Sequence, residues 1–383
     1  MLAPTPFALE TAEPAKLGLC AKTLDRLGRI IERHIAEDRY PGAQIAVARH
    51  GKLALFRSFG AARIEPEPVA AGPDTLWLLY SNTKVITAAA LWLLAEDGAL
   101  AFHDRIADHV PEFSRHHKGD ITVVQLLTHQ AGFPGSAMPL PQAAWSDHEL
   151  LRKLVCDFTL EWAPGSRVQY HPGAAHWTAA VLIEAIAKTD YRDFIRTRVI
   201  EPLGLGNELF VGLPDLQSAR AAEMHQPVDG GGQKKMAEEN TDAFRRAGVP
   251  GGGGFASARA MAAFYQMMVQ GGRLNGTRLI SPRMVQYVTR NFTADRVDSY
   301  MGMPMHRGLG PHSRGHTPTI RGLGSIASPA TFGHGGVGSS YCWGDPETGL
   351  SFAYLSNGRV PDPWHSRRLD VISNCVHAAI ADL

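Results

Sequence analysis

Apolar positions recur at helical spacing from Lys22 to Glu37, where Leu24, Leu27, Ile30, Ile31 and Ile35 share one face, and this predicts the first helix. Two strands follow, Gly42–Arg49 and Lys52–Phe59, joined by a turn at His50-Gly51. Thr75–Leu79 reads as a short extended segment leading into Ser81. Val85–Ala95 is apolar nearly all round, which predicts a buried helix ended by Asp97-Gly98. Further helices are expected over Val123–Thr128, His148–Cys156, Ala174–Lys188, Tyr191–Val199 and Ala258–Gln270. Extended segments return at Thr331–His334, Gly338–Trp343 and Leu350–Ser356, the last two joined by the turn Asp345-Pro346-Glu347-Thr348-Gly349. A final helix is expected over Arg367–Ile380.

Strands at both ends with helices between them predict an α+β fold: one antiparallel sheet flanked by helices, with an inserted, mostly helical lobe. The expected organisation is a single catalytic domain over residues 1–383. Its sheet lobe would span about 1–78 and 325–383, and its helical lobe about 79–324. The Gly/Pro/His-rich connections Phe133–Pro141, Gln226–Gly254 and Met303–Ser328 are too long for turns and read as pocket walls or lids.

Composition narrows the class. Hydrophobic content of 44%, charged content of 20% and a formal net charge of +1 describe an ordinary globular protein with no field to recruit nucleic acid or anionic membrane. No apolar run is long enough for a membrane span. Met1-Leu2-Ala3-Pro4-Thr5-Pro6 lacks a basic stretch followed by an apolar one, so a cytoplasmic protein is expected, unless a signal peptide has already been removed. The four cysteines, Cys20, Cys156, Cys342 and Cys375, are scattered and form no CxxC, as free thiols in a reducing compartment would be. The closest groupings among 17 histidines, His116-His117 and His171/His176, fit no ligand pattern, so neither metal nor other cofactor is expected.

The chemistry centres on Ser81-Asn82-Thr83-Lys84. Residues three apart share a helical face, so the Ser81 hydroxyl and the Lys84 amine can meet. Lys84 enters the apolar run Val85–Leu91 with no acid three or four residues away. Burial and the positive end of the helix dipole both disfavour its charge, leaving a neutral amine able to act as a base. The plain alternative is a serine cap with a lysine snorkelling outward. Tyr170, in Pro164-Gly165-Ser166-Arg167-Val168-Gln169-Tyr170-His171-Pro172, stands at a strand-to-helix corner, with Pro172 suited to the first helical position. Its hydroxyl could relay the serine proton, or could be a core tyrosine tied to the backbone. In Phe332-Gly333-His334-Gly335-Gly336-Val337-Gly338-Ser339-Ser340, glycines in an edge strand permit close approach of a substrate acyl group. The Val337 and Ser81 amides could then form an oxyanion hole; a flexible glycine loop is the alternative.

In this order, the three motifs resemble the SxxK, YxN and KTG set of the serine β-lactamase and penicillin-binding-protein superfamily. The resemblance is closer to its class C β-lactamase-like branch, which includes family VIII carboxylesterases and lovastatin-type acyltransferases. Leu126-Leu127-Thr128-His129-Gln130-Ala131-Gly132, Gly254-Phe255-Ala256-Ser257-Ala258 and Asp345-Pro346-Glu347-Thr348-Gly349-Leu350 are similar to further segments of that branch, so the resemblance covers most of the chain. It implies a β-lactamase/transpeptidase-like fold, with Ser81 as nucleophile, Lys84 as its partner base and Tyr170 as general base and acid. His334-Gly335-Gly336 would replace KTG.

Two departures redirect the expected activity. Pro172 lacks the amide of YxN that would hold a lactam's acylamino group, and His334 is a poor fixed cation for the carboxylate of penicillins and cell-wall peptides. The leading expectation is therefore a serine hydrolase of small-molecule carboxylic esters acting through an acyl-Ser81 intermediate. An acyltransferase passing the acyl group to an alcohol or amine, an amidase, β-lactamase or D-aminopeptidase-like enzyme, and a silent binding protein remain open. Tyr80, Tyr341 and Trp343 adjoin the motifs as candidate pocket residues, the last two sharing one strand face. His129 is expected in a structural turn, and Asn357 to orient a loop. The natural substrate and the oligomeric state are not legible.

Overall fold

The computed structural model describes residues 7–319 and 322–382, so the reading of Met1–Pro6 and two residues of the Met303–Ser328 connection lie outside the described residues. The central sheet takes strands from both ends of the chain. Its members are β1 (Glu10–Thr11), β2 (Gly42–Arg49), β3 (Lys52–Arg63), β4 (His312–Ser313), β5 (Phe332–Gly336), β6 (Ser340–Asp345) and β7 (Leu350–Ser356), in the order β1-β3-β2-β7-β6-β5-β4. Val69–Ala70 adds a short pairing to β3. All neighbours are antiparallel except β1 beside β3, which makes that edge mixed.

Turn chemistry sets the register. His50 and Gly51 both have positive φ, 51° and 79°, the primed-turn geometry that lets Arg49 pair with Lys52. At the β6–β7 turn the Asp345 carboxylate accepts the Glu347 N–H at 3.0 Å, and Gly349 closes the turn at φ 72°. Asn357, just past β7, accepts the Gly42 N–H at 2.8 Å and donates to the Ala61 carbonyl at 3.0 Å, fastening β7 to both strands of the first hairpin.

Both sheet faces are covered. Helices α1 (Ala21–Ala36) and α5 (Trp364–His377) lie on one face, where Leu24, Leu27, Ile31, Leu369 and Val376 pack with Val47, Trp343, Phe352 and Tyr354. On the other face lies α4 (Ala258–Val269), packing Met261, Phe264 and Tyr265 with Ala46, Cys342, Ala353 and Leu355. Alternation along β7 thus sends Phe352 and Tyr354 one way and Ala353 and Leu355 the other. Although α4 falls within the span assigned by sequence to the helical lobe, it belongs to the sheet layer, because its apolar stripe has the inner sheet face to cover.

The remaining helices surround α2 (Thr83–Glu96), buried from Thr83 to Leu94 and stopped by Gly98 at φ 73°. It packs against α3 (Ala174–Ala187) and the 195–200 segment. The helix expected over Tyr191–Val199 is α-helical only for Tyr191–Phe194 and continues as a π-helix through Ile195–Ile200. Among the described residues no helix is long and apolar enough to cross a membrane.

Candidate active site

The turn carrying Ser81 is pinned from three sides. Tyr80–Asn82 forms one 3-10 turn that runs into α2. Asn82 donates from Nδ2 to the Leu79 carbonyl at 3.2 Å and to Ser340 Oγ of β6 at 2.9 Å. Thr83 Oγ1 accepts the Gly254 N–H at 2.9 Å, while the Leu79 N–H donates to the Gly254 carbonyl at 2.8 Å. The two inner residues of the tetrad therefore anchor the Ser81 turn to the sheet and to the 250s loop. Tyr80 sits at φ 44°, a left-handed conformation costing about 1–3 kcal/mol that persists only where the surroundings hold it. Its hydroxyl donates to Glu239 Oε1 at 3.1 Å, so this candidate pocket residue is a largely buried tie to the 236–240 segment.

Lys84 is fully buried, and its amine meets three oxygens: Ser81 Oγ at 3.1 Å, the Pro172 carbonyl at 2.8 Å and the Gly251 carbonyl at 2.7 Å. Burial, and then the positive charge of Arg307, push its pKa down to about 7. A neutral amine has two N–H donors, which the two carbonyls accept, and its lone pair is left for the serine hydroxyl. Pro172 serves here through its carbonyl. It does not begin α3 as the sequence suggested; Gly173 is the N-cap and Ala174 the first helical residue. The glycine run 251–254 wraps the lysine and the Ser81 turn.

Tyr170 closes the set. Its hydroxyl donates to Ser81 Oγ at 2.8 Å, and its ring lies 5.1 Å from the Lys84 amine. Burial pushes the phenol up to about 12, partly offset by the Ser81 hydrogen bond and by Arg307. Near neutral pH the Lys84 amine can therefore be without its extra proton, while the Tyr170 phenol keeps its own. The chain around Tyr170 is held on both sides by His129, which sits at φ 60°. The His129 carbonyl accepts the Gln169 N–H at 3.0 Å, and its Nδ1 accepts the His171 N–H at 3.2 Å. The Tyr170 N–H itself donates to the buried carboxylate of Asp298 at 3.1 Å.

The third motif reaches the site through β5. At Gly336 a Cβ would stand 2.5 Å from the Leu79 carbonyl oxygen and 3.1 Å from Tyr80 Cβ, so only glycine lets the strand lie against the Ser81 turn. His334 is buried, with its ring 6.2 Å from that of Tyr170. Its Nδ1 is 2.8 Å from the Gly335 carbonyl oxygen, and burial and the charges of Lys84 and Arg307 push it down to about 3. It is neutral at any ordinary pH. Val337 follows at the half-exposed turn after β5.

Trp343 and Tyr341 do not line the cleft. They share one strand face, as expected, but it is the face covered by α1 and α5. Trp343 stacks on His377 at 4.3 Å and donates to Ser373 Oγ at 3.1 Å, while Tyr341 meets His312 through its hydroxyl. Cys342 and His334, a register pair, occupy the inner face instead. The reason is parity: Gly333 and Gly335 leave space on the outer face, and the two large rings fill it.

Asp298 and Tyr300 carried no signal in the sequence, whereas Gly251 and Arg307 fell inside the connections Gln226–Gly254 and Met303–Ser328, expected as pocket walls, without being singled out. Among the described residues, one group of potential metal ligands gathers, His148, Glu184 and Asp190, with ligand atoms within 4.8 Å of one another. The guanidinium of Arg192, 2.5 Å from Asp190 Oδ2 and 3.3 Å from His148 Nε2, already supplies that cluster with a cation.

Residues 27–373 match the Beta-lactamase family. The chain belongs to that family. Its members are serine hydrolases, among them esterases, peptidases and β-lactamases. The esterase/beta-lactamase LipL of Mycobacterium tuberculosis is 28% identical over 314 residues, 74% of this chain and 70% of that one. A penicillin-binding protein homolog from Caulobacter crescentus has a TM-score of 0.81 at 27% identity, covering 94% of this chain and 99% of its own. A family VIII carboxylesterase has a TM-score of 0.80, also at 27% identity and with the same coverage.

Proposed function

We propose that the protein cleaves small carboxylic esters through an acyl-Ser81 intermediate. The observation that carries this reading is the buried His334 in the third motif. Where a cation would recruit the carboxylate of a β-lactam or cell-wall peptide, an imidazole held at about 3 offers none. Pro172 supports the same reading, because it turns a carbonyl toward Lys84 and has no amide side chain to offer a substrate. The likeness to LipL and to a family VIII carboxylesterase agrees with it.

In this mechanism Ser81 Oγ attacks the ester carbonyl and its proton passes to Lys84. The Ser81 and Val337 amides would stabilise the oxyanion. The tetrahedral adduct then collapses, and the leaving alkoxide takes the proton of Tyr170. A Lys84 ammonium is left beside a Tyr170 phenolate. The phenolate draws a proton from an incoming water, which attacks the acyl group, and the released Ser81 oxygen recovers its proton from Lys84. An alcohol in place of water would make the same cycle an acyl transfer.

Turnover of p-nitrophenyl butyrate, with nitrocefin as comparison, tests this function. The expected result is ester cleavage with a burst, far exceeding nitrocefin hydrolysis, and its loss by on the order of 10³-fold or more in Ser81→Ala. Full turnover by a folded Ser81→Ala protein, or nitrocefin hydrolysis matching ester hydrolysis, overturns it. Added alcohols that convert the product from acid to new ester would identify acyl transfer.

A further inference from the structure

Resting on the acyl-Ser81 reading, the cycle above generates a negative charge on Tyr170 between its two halves, in a place where the third motif supplies a neutral histidine. A positive charge reaches Tyr170 from a different part of the chain. The guanidinium carbon of Arg307 lies 4.9 Å from the centroid of the Tyr170 ring. Arg307 is buried, and its Nη2 donates to Asp298 Oδ2 at 2.7 Å. Asp298 is itself fully buried, and its other oxygen accepts the N–H groups of Tyr170, Tyr300 and Met301 at 3.1, 3.0 and 3.3 Å. One carboxylate thus fixes the backbone of Tyr170 and aims a cation at its ring.

We propose that Arg307 is a positioning residue for the proton transfers at Ser81: held by Asp298 over the Tyr170 ring, it supplies the fixed positive charge that His334 does not. Buried and already paired, Arg307 acts on Tyr170 and Lys84 and offers nothing to a substrate carboxylate. A preference for neutral esters is therefore unaffected by its charge.

Titratable and polar groups face Tyr170 from several elements. They are Ser81 from the turn before α2, Lys84 from α2, His129 with its ring at 4.7 Å, Tyr300 at 5.7 Å, His334 at 6.2 Å, and the Asp298–Arg307 pair. Burial holds His129 and His334 neutral. The charged groups are therefore Lys84, Arg307 and Asp298, and Asp298 is already engaged by donors from four residues. Arg307 also bears on Lys84, its charge opposing protonation of the amine. Removing it would raise the proton affinity of Lys84 and move the acid limb of the reaction to higher pH.

The pH dependence of Ser81 labelling by a fluorophosphonate probe tests this directly, alongside p-nitrophenyl butyrate turnover. Three full-length variants suffice: Arg307→Lys, Arg307→Gln, and the double variant Asp298→Asn with Arg307→Gln. The double change avoids leaving one buried charge unpaired. In the single Gln variant the orphaned Asp298 pulls Lys84 in the same direction as the loss of Arg307. The expected result is an acid midpoint raised by about one pH unit or more in the Gln variants and restored toward the native value by lysine. A folded Gln variant, single or double, that labels with the native midpoint overturns the proposal, even if its rate is uniformly lower, since that is what a purely structural role would give. Native protein that labels at Ser81 but does not cleave the ester removes the esterase reading and leaves this test intact. Native protein that fails to label at all overturns both.

Discussion

The amine of Lys84 donates to the carbonyl oxygen of Gly251 at 2.7 Å, an approach that depends on the absence of a side chain at residue 251. A Cβ there would stand 3.1 Å from the lysine nitrogen and 3.2 Å from His176 Cβ. Gly251→Ala should therefore displace the amine by a few tenths of an ångström. The expected outcome is a fall in kcat/KM for p-nitrophenyl butyrate of about tenfold or more, with the thermal unfolding midpoint nearly unchanged, since misplacement of a reacting group is costly in rate.

The pH profile follows from the same lysine. Its proton must be absent for it to accept that of Ser81, and burial brings its pKa down to about 7. As pH falls below that value the amine is protonated, so kcat/KM should drop close to tenfold per pH unit on the acid side and level off above about 8. A profile flat from pH 5 to 9 would exclude Lys84 as the base.

His334 should leave no mark on that profile. Held down to about 3, it does not change charge anywhere in the working range. His334→Gln is expected to alter the height of the kcat/KM curve and not its acid midpoint. A midpoint shifted by a full unit in that variant would mean that His334 titrates with the site.

Trp343 separates packing from recognition. Its ring is buried between the sheet and α5, stacked on His377. Trp343→Ala should cost about 3–5 kcal/mol in urea unfolding. Trp343→Phe should preserve the ratio of kcat/KM for phenylacetate and butyrate esters. A change in that ratio would return Trp343 to the acyl pocket.

Much of the fold is legible in periodicity. His148–Cys156 and Leu350–Ser356 have the bounds read from sequence, and α1, α2 and α3 differ by a residue or two at their ends. Alternation also put Tyr341 and Trp343 on a common face, but it carries no information about which face looks into the cleft. That depended on Gly333 and Gly335 clearing the opposite side. The Ser81, Lys84 and Tyr170 side chains could be picked out because each lies on or beside a regular element. Asp298 and Arg307 could not, since an ion pair between two irregular segments leaves no period, and only the folded chain brings it under Tyr170.

The pairing of β2 with β7, Ala43 opposite Ser356 and Arg49 opposite Leu350, has a consequence for synthesis. The first hairpin leaves the ribosome with its inner edge open, and the strand that covers it is made only after the helices that lie between them in the chain. Contacts so distant in sequence favour slow, late closure of the sheet. Ser81 and Lys84 are translated well before β5 and the Ser340 hydroxyl that anchors Asn82. Until those later strands have been made, the Ser81 turn lacks the anchor that fixes it, so the site can take its folded geometry only after them.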